Sequence, residues 1–248
     1  MIPWLHPGDP SDAFPPVDSA LIEPDGLLCA GGDLAPARLL EAYRRGIFPW
    51  FSEGQPILWW SPDPRTVLYP AELKVSRSLG KTLRNRGFAV PLDRAFEEVM
   101  RRCADPTSRP EGTWISPQMQ AAYQRLHELG HAHSLETWDG DRLVGGLYGV
   151  ALGQVFFGES MFSVERDASK VALHALAQLV QSLGGRLIDC QVASAHLESL
   201  GARSIARREF VAELAAAIQD LQPDPRWRQA SIAMQQAFMQ NSRGPRGR

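Results

Sequence analysis

An acid and an amide two positions apart inside an apolar strand pose the first chemical question. In Leu187-Ile188-Asp189-Cys190-Gln191-Val192, the alternation of a β-strand predicts Asp189 and Gln191 on one face and Ile188, Cys190 and Val192 on the other. Polar groups buried there without partners cost roughly 2–7 kcal/mol, so a partner, a water network or a substrate must satisfy them. Glu159 adds a second carboxylate directly after the apolar run Val155-Phe156-Phe157-Gly158. Two carboxylates and an amide on sheet strands would serve as an acid/base and orienting set. The competing reading is a polar pair bonded to a neighbouring loop.

Other motifs carry less. His127-Glu128-Leu129-Gly130-His131 has the HExxH form, with His133 just beyond. Zinc hydrolysis needs both histidines on one face of a continuing helix. Gly130 between them, with a strand-like segment directly after, predicts that the helix ends there, so no metal is expected. Gly145-Gly146, Gly149 and Gly153 fall inside a predicted hairpin, which fails the strand-to-helix context of a dinucleotide fingerprint. There is no Walker A sequence and no GxSxG elbow.

The elements that must position these groups alternate in type. A helix is expected from an Asp33 N-cap through Leu39, Leu40 and Tyr43 to Gly46, followed by two tryptophan-bearing segments around Trp50 and Trp59-Trp60. Ser116-Pro117 opens a helix to about Leu129. His133–Trp138 reads as a strand, and Leu143–Val150 with Val155–Gly158 as a hairpin. Helix 169–183, strand 187–192, short helix 194–200 and helix 208–221 follow. Antiparallel strands and then a strand–helix–strand crossover predict an α+β fold, a mixed sheet with packed helices.

Residues 1–65 carry nine acids and four bases, whereas Lys74, Arg77, Lys81, Arg84 and Arg86 form a five-base run without an acid. That change of character divides the chain into a small N-terminal domain (1–65), a larger domain (66–222) and a C-terminal extension (223–248). Helix is expected over 229–240 and a disordered basic tail over 241–248. The three cysteines are scattered, which signals neither a disulfide framework nor a zinc knuckle. The N-terminus has no basic and apolar leader pattern, and no apolar run nears the ~18 residues of a membrane span. A cytoplasmic monomer is the expectation.

Long strings of this sequence resemble the leucyl/phenylalanyl-tRNA–protein transferases. They are GLLCAGGDLAPARLLEAYRRGIFPWF (26–51), PILWWSPDPRTVL (56–68), GTWISPQMQAAYQRLHELGHAHSLETW (112–138), LVGGLYGVALGQVFFGESMFS (143–163) and GGRLIDCQV (184–192). The resemblance implies a C-terminal domain like the acyl-CoA N-acetyltransferases (GNAT-like). It further implies transfer of leucine, phenylalanine or, less well, methionine from aminoacyl-tRNA to proteins beginning with arginine or lysine, which marks them for degradation under the N-end rule. The ester donor is already activated, so no cofactor is required. The loop before helix 169–183 lacks a glycine-rich pyrophosphate cradle, which argues against coenzyme A.

On this reading Gln191 holds the incoming amine while Asp189 accepts or stabilises positive charge, and Glu159 pairs with the acceptor side chain or anchors Asp189. Leu147, Phe156, Met161 and Ile188 would line an apolar hole for the amino acid, although each has ordinary core packing as its alternative. Trp50 and Trp114 match positions the family uses near the terminal adenosine, where aromatic faces stack on bases. The run Lys74–Arg86 would meet acceptor-stem phosphates. The alternatives are an acyl-CoA-dependent N-acyltransferase and a non-catalytic tRNA-binding module.

Overall fold

In the computed structural model, residues 2–105 and 113–243 are described. The first sheet comes from the N-terminal segment: β1 (Trp4–Leu5), β2 (Leu27–Gly31), β3 (Phe48–Pro49) and β4 (Leu58–Trp60), in the order β1-β2-β4-β3. Helix α1 (Pro36–Arg44) connects β2 to β3. It begins later than the Asp33 cap predicts. Pro36 takes the first turn, where its missing N–H costs nothing, and Asp33 instead accepts from the Ala35 N–H (3.0 Å) and from Arg38. The two tryptophan segments, read only as aromatic stretches in the sequence, include β3 and β4. Trp59 is fully buried and donates its indole N–H to the Gly31 carbonyl at 2.9 Å.

The second sheet is larger. It contains β5 (Arg65–Leu68), β6 (Ala132–Asp139), β7 (Arg142–Leu152), β8 (Val155–Ser163), β9 (Leu187–Gln191) and β10 (Arg203–Ile205), in the order β10-β5-β9-β8-β7-β6. Only β8 and β9 pair in parallel; the other neighbours are antiparallel. The hairpin strands β7 and β8 run longer than the sequence predicts, through a turn at Gly153-Gln154.

Around this sheet lie α2 (Arg77–Asn85), α3 (Phe96–Cys103), α4 (Pro117–Glu128), α5 (Ala168–Ser182), α6 (Ala195–Ser199), α7 (Arg207–Ala217) and α8 (Pro225–Arg243). The chain is therefore α+β, with a mixed sheet and packed helices, as expected. Ser116 caps α4 through the Met119 N–H at 3.2 Å, and Gly130 (φ 83°) ends it. The helix expected over 229–240 is α8, which starts earlier, at Pro225, with Asp224 accepting the Arg226 N–H at 2.9 Å. The helix extends into the stretch expected to be disordered; the rest of that tail, 244–248, lies outside the described residues.

The second sheet divides the apolar core. On one side Val67, Tyr148, Phe157 and Leu187 pack with Tyr43 and Trp59 of the N-terminal segment. On the other, Leu68, Leu147, Phe156 and Ile188 pack against Leu173 and Leu176 of α5. No helix among the described residues is long and apolar enough to cross a membrane.

Candidate active site

The parallel pairing of β8 with β9 ends at Phe157 and Asp189, and each strand carries a bulge close to that point. Opposite β7, Gly158 pairs with Gly149 but Ser160 with Tyr148, which leaves Glu159 as the extra residue. Opposite β5, Asp189 pairs with Val67 and Gln191 with Thr66, which leaves Cys190 extra. Bulges bend a strand and re-aim its side chains. The simple alternation predicted for Asp189 and Gln191 therefore does not hold: Gln191 ends β9 at φ 63°, in the left-handed region.

Asp189 is fully buried and joined to a partner that the motif reading did not single out. Arg65, also buried, donates Nε–H to Oδ1 at 2.8 Å and Nη2–H to Oδ2 at 2.6 Å. This is the two-pronged geometry that guanidinium and carboxylate favour. Arg65 also donates to the Gly46 carbonyl at 3.0 Å, and its guanidinium lies 4.7 Å from the centroids of Phe48 and Phe210. Asp189 Oδ1 accepts the backbone N–H of Gln191 as well, at 2.9 Å. The positive charge that Asp189 meets in the folded chain is thus Arg65.

From there the network reaches Glu159. Gln191 donates Nε2–H to Glu159 Oε1 at 3.1 Å. Tyr43 of α1 donates to the same oxygen at 2.7 Å, and Tyr123 of α4 donates to Oε2 at 2.9 Å. The two tyrosine hydroxyls are also in hydrogen-bond contact with each other; with one proton apiece they donate in two of these three contacts at a time, and the third is filled when Glu159 is protonated. Glu159 keeps some exposed surface, yet enough protein surrounds its carboxyl to push the pKa up to about 7. Burial is the main cause; Asp189 adds repulsion, while the tyrosine hydrogen bonds and Arg65 pull the other way. Burial beside Glu159 also raises both tyrosines well above the phenolic range, so they stay donors.

This network borders a cavity of about 410 Å³, partly open to solvent. Asp189, Gln191 and Glu159 lie on its wall, as do the six residues expected to bind substrate: Trp50, Trp114, Leu147, Phe156, Met161 and Ile188. Phe156, Ile188 and Leu147 are buried at its base. Trp50, near half exposed, stands at the rim 5.6 Å from the Trp60 ring. Most of the surface is apolar, with the carboxyl–amide pair at one side, the usual constitution of a site for a small apolar group carrying one polar end.

The basic run is less compact. Lys74, Arg77, Lys81 and Arg84 are exposed on or just before α2. Arg86 pairs with Glu165 at 3.4 Å and lies 4.8 Å from the Phe88 ring. The Lys74 N–H bonds the Leu200 carbonyl at 2.9 Å, which places the start of the run beside the α6 segment that borders the cavity.

Around the HExxH text, two histidines make contacts within the fold. His127 stacks on Phe96 (4.1 Å, 1°) and bonds the Ala132 carbonyl at 2.8 Å. His133 bonds Asp93 at 2.8 Å. No cluster able to hold a metal occurs among the described residues.

Sequence reasoning gave no site role to Arg65, Tyr43 or Tyr123. In the sequence Tyr43 belongs to an apolar stripe. The available signal was chemical: a buried acid requires a cation, and a buried tyrosine hydroxyl an acceptor.

Comparison with known proteins adds an independent line. Residues 67–215 match the family model for leucyl/phenylalanyl-tRNA protein transferase, and residues 32–63 match the model for its N-terminal domain. A leucyl/phenylalanyl-tRNA–protein transferase of Chromobacterium violaceum is 57% identical over 92% of this chain and 96% of its own. Those of Aromatoleum aromaticum and Chromohalobacter salexigens are 62% identical (87% and 90% covered) and 63% identical (85% and 82%). Among solved structures, a GCN5-related N-acetyltransferase from Kribbella flavida is 12% identical, with a TM-score of 0.38 over 69% of this chain and 61% of that one.

Proposed function

The chain belongs to the leucyl/phenylalanyl-tRNA–protein transferase family, and from that premise we propose that it transfers leucine, phenylalanine and, less well, methionine from charged tRNA to cytoplasmic proteins beginning with arginine or lysine. Products would then enter N-end rule degradation. The observation that carries the reading is the bond from Gln191 Nε2 to Glu159 at the edge of an apolar cavity.

That bond fixes the amide. With its nitrogen turned to Glu159, the Gln191 carbonyl oxygen is the end left for an amine to donate to. The acceptor α-ammonium has a pKa near ~8, so a weak base suffices to free its lone pair. Glu159, with a pKa of about 7, is matched to that task near neutrality. The nitrogen, having given one proton to Glu159, then attacks the ester carbonyl; a C–N bond forms, the C–O bond to the ribose breaks, and the departing ribose oxygen takes up a second proton from the nitrogen. Asp189, held by Arg65, contributes by pinning the Gln191 backbone. Much of the rate would come from positioning two reactants.

The remaining surfaces fit the same reading. The base formed by Leu147, Phe156, Met161 and Ile188 suits a branched or aromatic side chain, while Trp50 and Trp114 suit the terminal adenosine. The α2 bases would meet acceptor-stem phosphates.

The test is label transfer from radiolabelled leucyl-tRNA to a protein beginning with arginine. Label should appear with intact donor, vanish with RNase-treated donor, and fall strongly for Gln191→Ala and Glu159→Gln. Transfer at the wild-type rate in both variants would sink the mechanism; no transfer by the wild type would sink the function.

A further inference from the structure

Helix α8 lies wholly beyond residue 215, where the match to the catalytic family segment ends. One of its side chains nevertheless packs on a residue of the cavity wall. Trp227 is buried, and its indole stacks with two rings of the large sheet: His133 of β6 (4.7 Å, 15°) and Phe156 of β8 (5.5 Å, 27°). Phe156 itself lines the cavity. Its ring occupies space over β7 that exists because residue 149 is glycine; a Cβ there would fall 2.6 Å from Phe156 Cε1.

From these contacts we infer that Trp227 is a positioning residue for acyl-group specificity, acting through Phe156; this rests on the transfer reaction proposed above. Trp227 packs on Phe156 without itself lining the cavity, and so sets how far the ring yields to a larger aminoacyl side chain. The helix is fixed well enough to act as a stop. One turn on, the Ser231 hydroxyl bonds the Leu92 carbonyl at 3.1 Å, and Gln235 donates to the same carbonyl at 2.9 Å. Phe238, further along, meets Trp138 edge-on at 5.8 Å. An indole held in that way presents a rigid backing, whereas a small residue would leave space into which Phe156 could move.

The experiment compares kcat/KM for leucyl- and phenylalanyl-tRNA in wild type, Trp227→Ala, Trp227→Leu, Trp227→Phe and the control Phe238→Ala. The control removes another buried ring of α8, which meets Trp138 and the Arg94 guanidinium, both off the cavity wall. Trp227→Ala should move the ratio toward the bulkier phenylalanine by roughly tenfold, the scale at which apolar pockets discriminate. Trp227→Leu should fall between, Trp227→Phe should return most of the ratio, and Phe238→Ala should leave it unchanged. Should Trp227→Ala fail to fold, the graded Leu and Phe variants decide. An unchanged ratio in the folded Trp227 variants, or an equal shift in Phe238→Ala, overturns the inference. If the wild type transfers neither amino acid, the function fails instead, so the two failures are distinct.

Discussion

Gln191 is anchored to Asp189 by its own backbone: the Gln191 N–H donates to Asp189 Oδ1 at 2.9 Å while φ stands at 63°. A left-handed conformation is unfavourable for a residue with a side chain, by about 1–3 kcal/mol at a strained position, and the carboxylate bond offsets part of that. The amide head of Gln191 is turned by Glu159. Two acids thus hold the two ends of one residue.

Asp189→Asn should damage stability and rate together. The substitution leaves the Arg65 guanidinium buried opposite a neutral amide, and breaking a buried pair from one side costs about 3–5 kcal/mol. Denaturant unfolding should show a lower midpoint with an unchanged slope, and transfer should slow in step. A variant as stable as wild type would mean that Arg65 finds another partner.

Glu159 should govern the pH profile. Its folded pKa of about 7 exceeds the ordinary carboxylate value, so the folded state binds this proton more tightly than the unfolded state does. The resulting stabilisation is full below the ordinary value and is lost as pH rises through about 7. Activity should behave oppositely, rising through that range as the carboxylate forms. Glu159→Gln should remove both dependences; a persisting limb near pH 7 would assign it to another group.

Tyr43→Phe or Tyr123→Phe removes a hydroxyl that favours the ionised form of Glu159. The activity limb should therefore shift to higher pH in either variant, and further in the double variant. A shift to lower pH would contradict the assigned direction of the two hydrogen bonds.

Arg77→Glu with Arg84→Glu should weaken tRNA binding and flatten its dependence on salt. Each lost phosphate contact removes roughly 0.7–0.9 from the slope of log K against log salt, so two contacts change it by about 1.5. Filter binding at several ionic strengths gives the slope directly. No change would move the RNA surface away from α2.

Chelator treatment should leave transfer unaffected, and His127→Ala should lower thermal stability through the lost stack on Phe96. Inactivation by chelator, restored by zinc, would revive the HExxH reading.

What the sequence reveals here depends on the range of each rule. Ser116-Pro117, Gly130 and the apolar stripe of α5 speak through neighbours in the chain, and the helices they predict are present. Asp189, Gln191 and Glu159 stand out because polar groups in apolar strands need satisfying. The bulges at Glu159 and Cys190 do not, since a bulge is defined by what lies opposite it, and pairing partners are remote in sequence. The Arg65–Asp189 pair was hidden for the same reason. Helix α8 starts four residues before the expected 229 because proline, which stops a helix from within, starts one readily.

The span of these contacts bears on how the protein is made. Arg65 meets Asp189 across 124 positions, and Tyr43 meets Glu159 across 116. Closing such intervals costs entropy before any contact repays it. A chain emerging from the ribosome displays its tryptophan-rich beginning long before β9 appears, and until then Arg65 has no carboxylate and Gln191 no anchor. A nascent or truncated copy would hold aromatic surface and basic residues without a working centre. Competence would arrive in a single late step, when the ninth strand slots between the fifth and the eighth.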